Sequence, residues 1–126
     1  MRCLLDTHIL LWWIEDDPKL RADLRATIAD PANEVVVSAA TLWEAAIKRA
    51  LGKLRFETAV LLTALNRGGI DVLPITADHA LAAGDLPRHH DDPFDRMLVA
   101  QAIAEGLTMI TRDSWLRAYP VAIIEA

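Results

Sequence analysis

Four acidic residues, Asp6, Glu44, Asp95 and Asp113, stand where apolar, strand-like runs of this chain give way to helical ones. Asp6 follows Arg2-Cys3-Leu4-Leu5, Glu44 lies beyond Val35-Val36-Val37, Asp95 opens an amphipathic stretch, and Asp113 comes after Thr108-Met109-Ile110. Gathered at one edge of a fold, they would form a set of hard oxygen donors of the kind that holds Mg2+ or Mn2+. A dication in such a pocket activates water and clamps a phosphodiester for in-line attack. With a single cysteine, Cys3, the chain has no thiolate cluster to favour zinc.

Each acid also has a plainer use. Asp6 or Thr7 can cap the next helix, although the apolar run Ile9 to Ile14 makes an isolated carboxylate there costly. Glu44 precedes Lys48 by four residues, the order that favours a helix-surface ion pair. Asp95 stands near the third position of a helix capped by Asp92, where the helix dipole favours a negative charge. Asp113 can cap whatever follows it. Four unrelated caps need not share an edge, and the joint placement is what favours a site.

The elements that would position these residues can be read from the pattern. Strands are expected at Arg2 to Leu5, Glu34 to Val37, Ile70 to Leu73, Thr108 to Ile110 and Val121 to Ile124, apolar throughout their centres as parallel strands covered on both faces are. Between them the chain predicts helices at Lys19 to Asp30 after Asp17-Pro18, Ala39 to Leu51 after Ser38, Glu57 to Asn66, Ala77 to Ala83 after Thr76, and Phe94 to Glu105 after Asp92-Pro93. Gly52, Gly68-Gly69 and Gly106 stop three of them. The alternation reads as one α/β domain over residues 1–126, with ligands expected outside the carboxyl ends of the strands.

Composition sets the remaining bounds. At 53% hydrophobic and a mean hydropathy of +0.22, the chain must bury both faces of its sheet or reserve apolar surface for a partner. No run reaches the roughly 18 apolar residues of a membrane span, and Asp6 breaks the first apolar stretch too early for a signal peptide. A cytoplasmic location with no membrane contact is expected. The net charge of −5 argues against nucleic acid at first sight, but bound cations would reverse the local sign at a carboxylate site. Bases cluster at Lys48, Arg49, Lys53 and Arg55, and Arg88, Arg96, Arg112 and Arg117 flank two of the acids. His89 and His90, adjacent in the loop Pro87 to Pro93, suit a loop or substrate-edge role better than joint ligation, and His8 and His79 are expected to decorate helices. Trp12, Trp13, Trp43 and Trp115 are expected in the core, with Trp12 or Trp13 also suited to a dimer face.

Taken together, Leu4-Leu5-Asp6-Thr7-His8, Ser38, Trp43-Glu44, Asp92-Pro93-Phe94-Asp95-Arg96-Met97-Leu98 and Thr111-Arg112-Asp113 resemble, in order and over nearly the whole chain, PIN-domain proteins of the VapC type, toxins of bacterial toxin–antitoxin pairs. The resemblance implies a three-layer α/β/α fold around a mainly parallel sheet of about five strands, and a metal-dependent endoribonuclease. It places Asp6, Glu44, Asp95 and Asp113 in the catalytic site, with Asp6, Asp95 and Asp113 on Mg2+ or Mn2+ and Thr7, Ser38 and Thr111 as supporting hydroxyls. Lys48, Arg96 and Arg112 become candidates for RNA phosphate contacts. A small antitoxin and a homodimer are the implied partners. Thr41 stands where relatives often have a second serine, and Ser114, Trp115 and Leu116 offer no further acid, so a single ion is expected. The rival readings are an inactive PIN-like binding module and a phosphoaspartyl hydrolase, the latter lacking an acid at His8.

Overall fold

The computed structural model describes all residues, 1–126. Five strands form one sheet: β1 Arg2–Leu5, β2 Glu34–Ser38, β3 Ile70–Leu73, β4 Thr108–Thr111 and β5 Ile123–Glu125, in the order β3-β2-β1-β4-β5. Every pairing is parallel. The connecting helices are α1 Thr7–Ile14, α2 Ala22–Ala29, α3 Ala39–Ala50, α4 Thr58–Arg67, α5 Ala77–Asp85 and α6 Pro93–Glu105, with a 3-10 turn at Ser114–Ala118.

The three central strands β2, β1 and β4 bury both faces, while the edge strand β3 carries Asp71 and is partly exposed. Cys3, Leu5, Val35, Val37 and Ile110 point to one side, where Ile9 and Leu10 of α1, Leu24 and Ile28 of α2 and Leu61 and Leu65 of α4 pack against them. Leu4, Val36 and Met109 point to the other, against Leu98, Val99 and Ala102 of α6 and against Leu116 and Tyr119. Helix α3 straddles the border, with Ala40 in the second cluster and Leu42 against the first. Each fully buried Leu or Ile contributes about 1.5–3 kcal/mol relative to exposure, so this double core holds the sheet edge in place. At Gly68, which ends α4, a Cβ would meet the Trp13 ring at 2.6 Å; a glycine there lets the indole close over the helix end.

Several boundaries differ from expectation. Helix α2 begins at Ala22 rather than Lys19, because Asp17 spends its side chain on the Lys19 amide at 2.9 Å in a separate turn. Strand β5 lies at Ile123–Glu125 rather than two residues earlier, since Met109 N–H already bonds the Ala122 carbonyl at 2.8 Å and Ile123 is the first residue in register. His79 is not a surface decoration: only 2% exposed, it closes a capping box with Thr76 and meets Glu105 Oε1 at 2.8 Å. Trp12 and Trp13 pack against the core, whereas Trp43 and Trp115 are 63% and 74% exposed. No helix is long and apolar enough to cross a membrane.

Candidate active site

The sheet register itself builds the floor of the site. Leu5 pairs with Val37 on one side and with Ile110 on the other, so the next residues of β1, β2 and β4 are Asp6, Ser38 and Thr111, side by side at the carboxyl edge. The chain order reverses here, β1 being flanked by β2 and β4, and an α/β sheet opens a crevice at such a switch. All three residues are buried.

Capping and site-building turn out to be the same act. Asp6 is the N-cap of α1: one carboxylate oxygen accepts the Ile9 amide at 2.9 Å, and the other accepts the Thr111 hydroxyl. Burial still pushes its pKa up, against the opposing pull of these two hydrogen bonds and of His8 and Arg112. Thr111 Oγ1 in turn accepts the Asp113 amide at 3.0 Å. Asp113 caps the 3-10 turn through Trp115 N–H at 3.0 Å, and its second oxygen faces His90 Nε2 at 2.8 Å. Glu44 accepts the Thr7 hydroxyl and lies 3.5 Å from Lys48 Nζ, with only 14% of its side chain exposed. Ser38 Oγ caps α3 at Ala40 N–H, 3.0 Å away.

Asp95 is the strained member. It stands in the first turn of α6, whose cap Asp92 takes the Phe94 and Asp95 amides at 2.8 and 3.3 Å. Its carboxyl is pushed up to about 7, first by burial, then by the nearby charge of Asp92 and, more weakly, of Asp6 and Asp113, with His90 pulling the other way. Burial beside other carboxylates thus holds the Asp95 proton near neutrality, and a dication in the pocket would relieve that crowding of charge.

These residues line one pocket of about 350 Å3: Asp6, Thr7, Glu44, Asp95 and Asp113 with Asp92, His8, Lys48 and Arg112, and no hydrophobic side chain. Five carboxylates against two fixed cations leave the pocket strongly negative, and the N-termini of α1 and α6 face it with positive dipole ends. The donor set therefore fits a hard divalent ion. Arg112 reaches His8 Nε2 at 3.2 Å, an approach that requires an unprotonated ring nitrogen, in keeping with a His8 pKa lowered by burial and by Arg112.

The structure thus brings together Asp6, Glu44, Asp95 and Asp113, with Thr7 and Thr111 bonded directly to two of them. It places Lys48 and Arg112 in the same pocket, but not Arg96. The Arg96 guanidinium is spent on the carbonyls of Ala83, Leu86 and Pro87 at 2.9, 3.0 and 3.1 Å. Both Nη groups of Arg96, expected as a phosphate contact, are thereby engaged by backbone carbonyls, and the residue does not line the pocket that holds the acids. Three residues escaped the sequence reading as members of the site. Asp92 was legible only as a cap, His8 only as a helix residue, and His90 as a loop or substrate-edge residue.

The sequence matches the PIN domain family over residues 3–121, and the chain belongs to that family. It is 30% identical over 119 residues to Ribonuclease VapC22 of Mycobacterium tuberculosis, a match covering 92% of this chain and 90% of the relative. Its fold is similar to that of VapBC2 from Rickettsia felis bound to a DNA fragment from their promoter, with a TM-score of 0.76 at 19% identity, covering 99% of this chain and 98% of that one. A toxin–antitoxin complex from Klebsiella pneumoniae matches with a TM-score of 0.67 at 20% identity, covering 97% and 95%.

Proposed function

We propose that this protein is a Mg2+- or Mn2+-dependent endoribonuclease and the toxin half of a type II toxin–antitoxin pair, working in the cytoplasm. The observation that carries the reading is the convergence of Asp6, Glu44, Asp95 and Asp113 on one pocket free of apolar side chains. Its relative at 30% identity is a ribonuclease, which supports RNA as the substrate class. An inactive binding module has no need to keep four carboxylates crowded at such electrostatic cost.

Asp6, Asp95 and Asp113 would hold the ion, and a bound dication supplies Lewis acidity toward a phosphodiester oxygen and lowers the pKa of a water. The chain's own residues do the rest. Glu44, anchored by Thr7 and only loosely paired with Lys48, accepts the proton of the attacking water. Lys48 and Arg112 offset the charge of the RNA phosphate at the pocket mouth. Thr111 and the Ile9 amide keep Asp6 from rotating out of the donor set. Ser38 acts one step back, fixing the start of the helix that carries Glu44.

An antitoxin partner is supported by structural neighbours that are toxin–antitoxin complexes. Val60 and Leu62, exposed on α4, offer apolar surface for that partner or for a second copy of the chain. The direct test is Asp6→Asn assayed on RNA with Mg2+ or Mn2+. Cleavage should be abolished with the fold intact, and a variant cutting at the parental rate refutes the assignment.

A further inference from the structure

The loop between α5 and α6 is built to aim one side chain. Tyr119 donates its hydroxyl to the Pro87 carbonyl at 2.8 Å and accepts the His90 amide at 3.0 Å. The His89 ring lies edge-on to Tyr119, with centroids 5.2 Å apart. Arg96 gathers the carbonyls of Ala83, Leu86 and Pro87 from the other side. Clamped in this way, the loop projects His90 into the acid cluster, with Nε2 at 2.8 Å from Asp113 and 3.5 Å from Asp95.

Distance alone would make His90 a metal ligand, since one donor atom from each of His90, Asp95 and Asp113 lie within 4.8 Å of one another. The far side of the ring decides otherwise. His90 Nδ1 is 3.1 Å from the Asp92 backbone N–H, which can only donate. Nδ1 must therefore present its lone pair, and the ring proton sits on Nε2, directed at Asp113. Ligation through Nε2 requires the opposite tautomer, which would set one N–H against another and release the amide that leads into the α6 cap. The imidazole is wired as a donor.

We propose that His90 is a positioning residue: its Nε2–H holds Asp113 in the orientation that receives the dication, while the Asp92 amide fixes the tautomer. The inference rests on the pocket being a metal site. Asp113 is then held as Asp6 is, with one oxygen taken by a backbone amide and the other by a side-chain donor. Each oxygen retains a further lone pair for the ion. A neutral donor does this without adding a positive charge that would compete with the dication. Arg96 and Tyr119 serve the site at one remove, as the clamp that carries His90.

The test uses the full chain labelled with 15N-histidine, Mn2+ as probe, and the variants His90→Ala, His90→Gln and Asp6→Asn. Nitrogen NMR of the metal-free protein should show His90 protonated at Nε2 alone. Pulsed EPR of the Mn2+ complex should show no directly bound histidine nitrogen. Loss of a group that orients a ligand costs about 10–100-fold in metal affinity, so His90→Ala should weaken Mn2+ binding by that factor. His90→Gln, which returns an N–H near the Nε2 position, should recover most of it, as a purely structural role of the ring would not. A histidine nitrogen coupled to Mn2+ and lost in His90→Ala overturns the proposal, as does parental affinity in His90→Ala or a proton found on Nδ1. Failure of the underlying metal reading looks different: the parent protein and Asp6→Asn alike would bind no Mn2+, and the proposal would fall with it.

Discussion

Replacing Asp95 by Asn tests the crowding of the pocket quantitatively. The Asp95 carboxyl is raised from 3.8 to about 7 in the folded protein. Below about pH 4 both folded and unfolded chains hold the proton and there is no penalty. As pH rises toward 7 the unfolded chain releases its proton while the folded one keeps it, so folded stability falls, and above 7 the loss is complete. At about 1.4 kcal/mol per pKa unit the full shift corresponds to roughly 4 kcal/mol. Asp95→Asn should therefore be up to about 4 kcal/mol more stable than the parent at pH 8 in chelator, by urea denaturation, with the gain falling to about half near pH 5.5 and vanishing below about pH 4. Saturating Mn2+ should offset much of that gain, since an ion at a hundred times its Kd stabilises the parent by about 2.7 kcal/mol. A gain of equal size at pH 5.5 and pH 8, or no gain at either, would refute the reasoning.

Other perturbations follow from the same geometry. Glu44→Gln removes the proton acceptor while keeping the Thr7 contact, and should lower RNA cleavage by about 10²–10⁴-fold with Mn2+ affinity, measured by calorimetry, little changed. Lys48→Ala should reduce the salt dependence of RNA binding by about one phosphate contact. Arg96→Ala should leave that slope alone but lower the melting temperature, because several loop carbonyls lose their donor, at about 1–3 kcal/mol in total.

Much of the fold could be read from local chemistry. The three central strands carry apolar runs because both their faces are covered, and Asp92-Pro93 and Gly106 mark the two ends of α6 by capping physics alone. The row of Asp6, Ser38 and Thr111 follows from parallel register once the strands are placed. What escaped was set by long-range or purely backbone partners. Arg96 finds its acceptors among carbonyls, which every residue has, so no side-chain pattern announces them. His90 reaches Asp113 across 23 residues from an irregular loop, where no periodicity predicts direction. Capping and a place in the pocket are also not alternatives: Asp6 and Asp113 each cap the segment that follows and line the pocket with the same carboxylate.

The proposed chemistry requires acids distant in sequence to share one ion. Anomalous diffraction from crystals soaked in Mn2+ measures this directly. A single strong peak bounded by the carboxylates of Asp6, Asp95 and Asp113, with Glu44 nearby and His90 Nε2 bonded to Asp113 rather than to the metal, is the expected result. An empty pocket at saturating Mn2+, or manganese bound only at unrelated surface carboxylates, would contradict it.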